Sequence, residues 1–124
     1  MMNQEKQGAE QTDGQRAEAS NGLPIYFAKT LAGMERLLKD ELIELGATDL
    51  VVVRRGVEFG ADMATLVRVC LCTRFAIRVL RPVLWFKAEN TDALYEEATK
   101  WEWGSVMTPS ATFAIDVTAH SEYF

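Results

Sequence analysis

Residues 26–59 constrain the fold more than any other part of this sequence. They read as strand, amphipathic helix, strand, tight turn and strand in unbroken succession. Residues 25–29 are β-branched and aromatic, the composition strands prefer. Met34, Leu37, Leu38, Leu42 and Leu45 then fall at i, i+3, i+4, i+8 and i+11, a single apolar stripe of helical period. Glu35, Lys39, Asp40 and Glu44 lie largely on the solvent side, and Glu35 precedes Lys39 in the favourable order for an ion pair along a helix. Gly46 is placed to end that helix in a left-handed conformation. Residues 50–54 contain three consecutive valines, the pattern of a strand covered on both faces or capped on its outer face. Arg55-Gly56 reads as a turn in which the glycine supplies positive φ, and Val57-Glu58-Phe59 alternates and pairs back as a hairpin strand.

The following segments complete the unit. Asp62 is a good N-cap for a helix over residues 63–75, with Leu66, Val69, Cys70 and Thr73 on one face and Arg74 complementing the dipole near its end. Residues 77–80 start a fourth strand, which Pro82 interrupts and residues 83–86 are placed to resume. The fold class is therefore α+β, with a ferredoxin-like β-α-β-β-α-β sandwich over residues 23–88. Both helices should cover one face of an antiparallel sheet, leaving the other for solvent, a ligand or another domain. Thr91 is placed to cap a third helix over residues 92–103, and residues 112–117 alternate as a further strand. Only seven residues follow that strand, so residues 89–124 read as a linker helix and the start of an incomplete domain.

The N-terminal residues 1–22 are of a different kind. They hold no apolar residue larger than methionine and cannot bury enough surface to offset the entropy of ordering them. A disordered tail is expected there. It lacks the apolar core of a signal peptide, and no run approaches the roughly 18 apolar residues of a membrane span. The expectation is a soluble, cytoplasmic chain without a membrane partner.

Charge narrows the classes of function. The net charge is −5, which argues against strong non-specific binding of nucleic acid by the chain alone. The sign is uneven, because residues 54–87 carry seven bases against two acids. That basic segment is the one candidate for a phosphate-facing patch. The competing reading has these arginines lie along the surface and pair with flanking acids.

No catalytic or metal site emerges. Cys70 and Cys72 project about 200° apart on a helix, too far round it to bridge, and with the lone distant His120 they make no tetrahedral metal set. They read as small apolar fillers of the helix. Glu96-Glu97 and Asp40-Glu41 are solvated helix acids. Trp85-Phe86 and Trp101/Trp103 lie beside predicted core faces, which favours packing over base stacking.

The order of these segments resembles a known family. Phe27-Ala28-Lys29-Thr30, Gly33-Met34-Glu35-Arg36-Leu37-Leu38, Glu41-Leu42, Leu45-Gly46-Ala47, Gly56-Val57-Glu58-Phe59 and Thr73-Arg74-Phe75-Ala76-Ile77-Arg78-Val79-Leu80 occur in one sequence. Together with Trp103 and residues 112–117, they resemble the N-terminal region of bacterial class I S-adenosylmethionine-dependent 23S rRNA guanine-N2 methyltransferases, in which a ferredoxin-like domain precedes a THUMP domain. The resemblance covers residues 25–120. It departs at Cys70-Leu71-Cys72, where the family often has a bulkier triplet.

The resemblance implies an RNA-binding and positioning role on structured large-subunit rRNA, with downstream THUMP and methyltransferase domains as partners. S-adenosylmethionine would bind in a catalytic domain outside this chain, since no glycine-rich donor loop and no Pro-Pro motif are present. Arg54, Arg55, Arg74, Arg78, Arg81 and Lys87 are the candidate RNA contacts. Arg54 and Arg55 at the hairpin tip favour phosphate contact. For Arg74 and Arg78 a second reading stays open, in which they pair with Glu96 or Glu97 of the third helix. The alternative for the whole chain is a stand-alone ferredoxin-like module that binds protein or a small ligand through its open sheet face.

Overall fold

A computed structural model describes residues 18–118. The chain divides after Val83 into two compact units. The first contains a four-stranded antiparallel sheet built from β1 (Ile25–Lys29), β2 (Thr48–Val53), β3 (Gly56–Gly60) and β4 (Arg78–Leu80). Its strand order is β2-β3-β1-β4. Helices α1 (Glu35–Glu44) and α2 (Met63–Cys72) connect the strands in the expected β-α-β-β-α-β sequence. The second unit holds α3 (Thr91–Thr99) and a single 3₁₀ turn at Trp103–Ser105.

Cross-strand register assigns each sheet residue to a face. Val52, Val57, Ala28 and Val79 form one row across all four strands. This row belongs to the face that packs on the helices, where Ala28, Val57, Phe59 and Tyr26 meet Leu38 and Leu42 of α1 and Val69 of α2. Each large apolar side chain buried there contributes about 1.5–3 kcal/mol. The period-2 pleat sends the intervening residues the other way. Val51, Glu58, Phe27 and Leu80 make one row of the open face, and Val53, Gly56, Lys29 and Arg78 the next.

Several expectations are revised by this arrangement. The valine run of β2 lies at a sheet edge and is not covered on both faces, since Val52 is exposed. The strand buried along its whole length is β3. A continuous apolar run does not distinguish the two positions, because β2 owes its cover to α1 and to a turn from the N-terminal side. That turn falls within the expected disordered tail. Residues 1–17 lie outside the described residues, but Ala19 is buried, and Ser20 donates from its backbone N–H and Oγ to the Asp49 carboxylate at 2.6 and 2.8 Å. Asn21 donates to Thr48 at 3.2 Å. The turn straps the irregular start of β2, where the register shifts between Thr48 and Val51 and Asp49 is left-handed at φ 51°.

The helix limits also differ. The second helix stops at Cys72 because Thr73 is extended. Val69 and Thr65 fill its buried face, and Cys70, expected on that face, is exposed like Cys72. Asn90, not Thr91, caps α3, accepting from the Ala93 N–H at 2.8 Å. The α3 helix ends at Thr99, short of residue 103. Residues 83–86 do not resume β4, and residues 111–118 form no strand. Phe113, Ile115 and Val117 are exposed there. Their alternation has no partner strand among the described residues, and pairing is what turns such a pattern into a strand.

Candidate nucleic-acid interface

The hairpin joining β2 to β3 positions the first candidate residues. Arg54 and Arg55 form its two-residue loop between the paired Val53 and Gly56. The left-handed residue is Arg55, at φ 59°, and not Gly56. Three groups hold it in this uncommon conformation. The Arg55 carbonyl accepts from the Thr30 N–H at 2.8 Å, and its N–H donates to Glu35 Oε1 at 3.2 Å. Glu35 Oε2 accepts from the Gly33 N–H at 2.8 Å. The Glu35 carboxyl is held below its usual pKa, chiefly by its own backbone N–H and further by those of Arg55 and Gly33, against opposing desolvation. The carboxylate expected to pair with Lys39 thus serves the hairpin tip.

Gly56 has a different task. A Cβ at this position would lie 2.7 Å from the Ala28 carbonyl oxygen and against the Phe27 ring. The glycine therefore lets the Phe27 ring lie against β3 on the open face. Beside that ring is a groove of about 660 Å3, lined by Phe27, Val53, Arg54, Glu58, Leu80 and Arg81 together with Pro82. Glu58, 4% exposed, lies within it. Arg54 and Arg81 are exposed cations on its lining.

Lys29 and Arg78 face each other in the neighbouring row, on the same side of the sheet as Phe27. Lys29 also lines a second depression, of about 400 Å3, with Arg55 and Ile77. Cations thus gather at the hairpin end of the open face.

The remaining candidates lie elsewhere. Arg74 lines a cleft of about 410 Å3 with Asp40, Glu41 and Glu44, a setting that repels phosphate. Its backbone has a structural role there. Glu41 accepts from Thr73 Oγ1 at 2.8 Å and from the Arg74 N–H at 2.7 Å, which latches the end of α2 onto α1. Thr30 Oγ1 donates to the Phe75 carbonyl at 2.8 Å and ties the same loop to β1. Arg68, outside the candidate set, donates to the Leu45 carbonyl at 3.0 Å and caps α1. Glu97, one of the proposed partners of Arg74 and Arg78, pairs with Lys100 of its own helix at 2.6 Å.

Lys87 is exposed and belongs to the second unit. In that unit Trp101 and Trp103 meet edge-to-face at 4.8 Å, and Trp103 Nε1 donates to the Ala98 carbonyl at 2.7 Å. Both contacts belong to packing. His120 lies outside the described residues.

Sequence reasoning missed Phe27, Lys29 and Glu58. The signal was present in the alternation. Ala28 and Val57 are small and apolar on one face, while Phe27, Lys29 and Glu58 are large or charged on the other.

Comparison with known proteins bears on this geometry. Residues 26–80 match the family model for the RlmL ferredoxin-like domain. The chain is 41% identical over 91 residues to the ribosomal RNA large subunit methyltransferase K/L of Syntrophotalea carbinolica, covering 73% of this chain and 13% of that protein. The protein of the same description from Methylococcus capsulatus is 39% identical over 94 residues, covering 76% of this chain and 13% of its own length. A putative RNA methyltransferase of Synechocystis is 38% identical over 93 residues, covering 75% of this chain and 24% of that protein. The chain therefore spans between about an eighth and a quarter of the length of these relatives.

Proposed function

We propose that this chain, whose residues 26–80 match the family model for the RlmL ferredoxin-like domain, is an RNA-positioning part of a large-subunit rRNA methyltransferase. The observation that carries the proposal is the open sheet face of the first unit. It presents Arg54 and Arg81 on a groove and Lys29 and Arg78 in the adjacent row, although the chain as a whole is acidic. Concentrated cations on one face are how an acidic protein can still meet a phosphate backbone. The names of the relatives support rRNA as the substrate.

The finer reading is guanine-N2 methylation of 23S rRNA in the cytoplasm, with THUMP and methyltransferase domains as the working partners. Among the described residues no helix is long and apolar enough to cross a membrane. We assign S-adenosylmethionine to the methyltransferase domain. The junctions leading into α1 and α2 do not fit the donor. The loop leading into α1 has one glycine, Gly33, and the start of α2 is occupied by the Asp62 carboxylate, which accepts from the Thr65 N–H at 2.8 Å.

A second reading has one observation in its favour. Met63, Val67, Cys70 and Leu71 leave an exposed apolar ridge on α2, as a protein-docking module would.

Titration of the purified chain with a hairpin of 23S rRNA at low and moderate salt separates the readings. Binding that weakens with salt, and weakens further in R54A/R81A, supports RNA positioning. Undetectable RNA binding at low salt supports the protein-docking module.

A further inference from the structure

We propose that the groove beside Phe27 is a site for a single unpaired nucleotide of RNA, with the base stacked on the Phe27 ring and the flanking phosphates held by Arg54 and Arg81. The inference rests on the RNA-positioning reading and specifies which part of the RNA this face takes.

Four observations converge on it. The Phe27 ring lies against Gly56 on the open face of the sheet, and the groove opens beside it. Antiparallel four-stranded sheets of this connectivity are a general platform on which aromatic side chains stack splayed-out bases. Arg54 and Arg81 both line the groove, one from the hairpin loop and one from the segment after β4. They can take the phosphates before and after one nucleotide, and the occupant is fixed as a nucleic acid by this charge complementarity.

The fourth observation is Glu58. This residue lines the groove and is 4% exposed. A carboxylate on the lining repels phosphate from the interior. Phosphate is thereby confined to the arginines, and the interior is left for a base. Duplex RNA offers no such base, since its bases are stacked and paired.

The test compares a 23S rRNA hairpin carrying a loop of unpaired nucleotides with a fully paired RNA of equal length, using the whole 124-residue chain. The looped RNA should bind about tenfold or more tightly than the paired one. F27L, which keeps an apolar cover over Gly56 but removes the ring, should weaken loop binding by about fivefold or more, and F27Y should restore it.

Affinity of F27L equal to that of the original chain overturns the stacking site and leaves RNA positioning standing. Failure of the original chain to bind either RNA overturns both. A variant-free measurement protects the test against misfolding of F27L. With 5-iodouridine in the loop, photo-crosslinking should attach the RNA to the peptide containing Phe27, and attachment only at other peptides overturns the site.

Discussion

At position 55 a bulky cation occupies left-handed backbone, and at position 56 a glycine occupies ordinary strand backbone. Sequence patterns would put these two roles the other way round, because a glycine in a turn usually supplies positive φ. Here the glycine provides space. The expected consequence is specific to this arrangement. Gly56→Ala should destabilise the chain by about 1–3 kcal/mol, since the added methyl meets the Ala28 carbonyl and the Phe27 ring. Arg55→Gly should leave stability equal or raise it, because the left-handed strain disappears. Urea unfolding of both variants checks the pair. Had the glycine been the left-handed residue, Arg55→Gly would only weaken the hairpin. The presence of the turn was legible in the sequence. Which residue carried the strain was not, because it depends on Thr30 and Glu35, far back along the chain.

Helix ends and their latches show the same limit one scale up. Strand and helix order, and the Asp62 cap, followed from local pattern, since each depends on residues within one turn or one strand. The end of α2 did not, because Glu41 of α1 determines it by accepting from Thr73 and Arg74. Glu41→Ala should leave the half-buried Thr73 hydroxyl without its acceptor, expose the Arg74 N–H to water and destabilise the chain by about 1 kcal/mol. Amide exchange at Arg74 and Phe75 should accelerate more than exchange in β3.

Acid lability is a second consequence at this scale. The Asp62 carboxyl is held below its usual pKa chiefly by the Thr65 N–H and also by the Thr65 side chain, and Glu35 is held down at the hairpin tip. A depressed folded pKa stabilises fully above the unfolded values, 3.8 and 4.5 for these groups. That stability is lost as pH falls through them toward the folded values. The Tm should therefore drop on acidification below about pH 4.5, and the drop should be shallower in D62N/E35Q, which retains acceptors without the titrating charges. Equal slopes for the two proteins would show that other carboxylates govern the acid limb.

Over the whole molecule, the proposed RNA-positioning role depends on which cations the fold gathers on one surface. The sequence shows seven bases in residues 54–87, but spacing along the chain does not say which of them share a face. Arg54 and Arg81 are 27 positions apart and line one groove, whereas Arg74, seven positions before Arg81, lines an acidic cleft. Salt dependence of RNA binding can detect this sorting. Each phosphate neutralised on a single strand adds about 0.7 to the steepness of log K against log salt. R54A/R81A should therefore flatten the plot by about 1.4. R74A removes the same charge from the same basic segment, yet it should leave the slope unchanged, because Asp40, Glu41 and Glu44 already occupy its surroundings. If R74A flattened the plot as much as R81A does, the patch would be the basic segment as a whole and not the open sheet face.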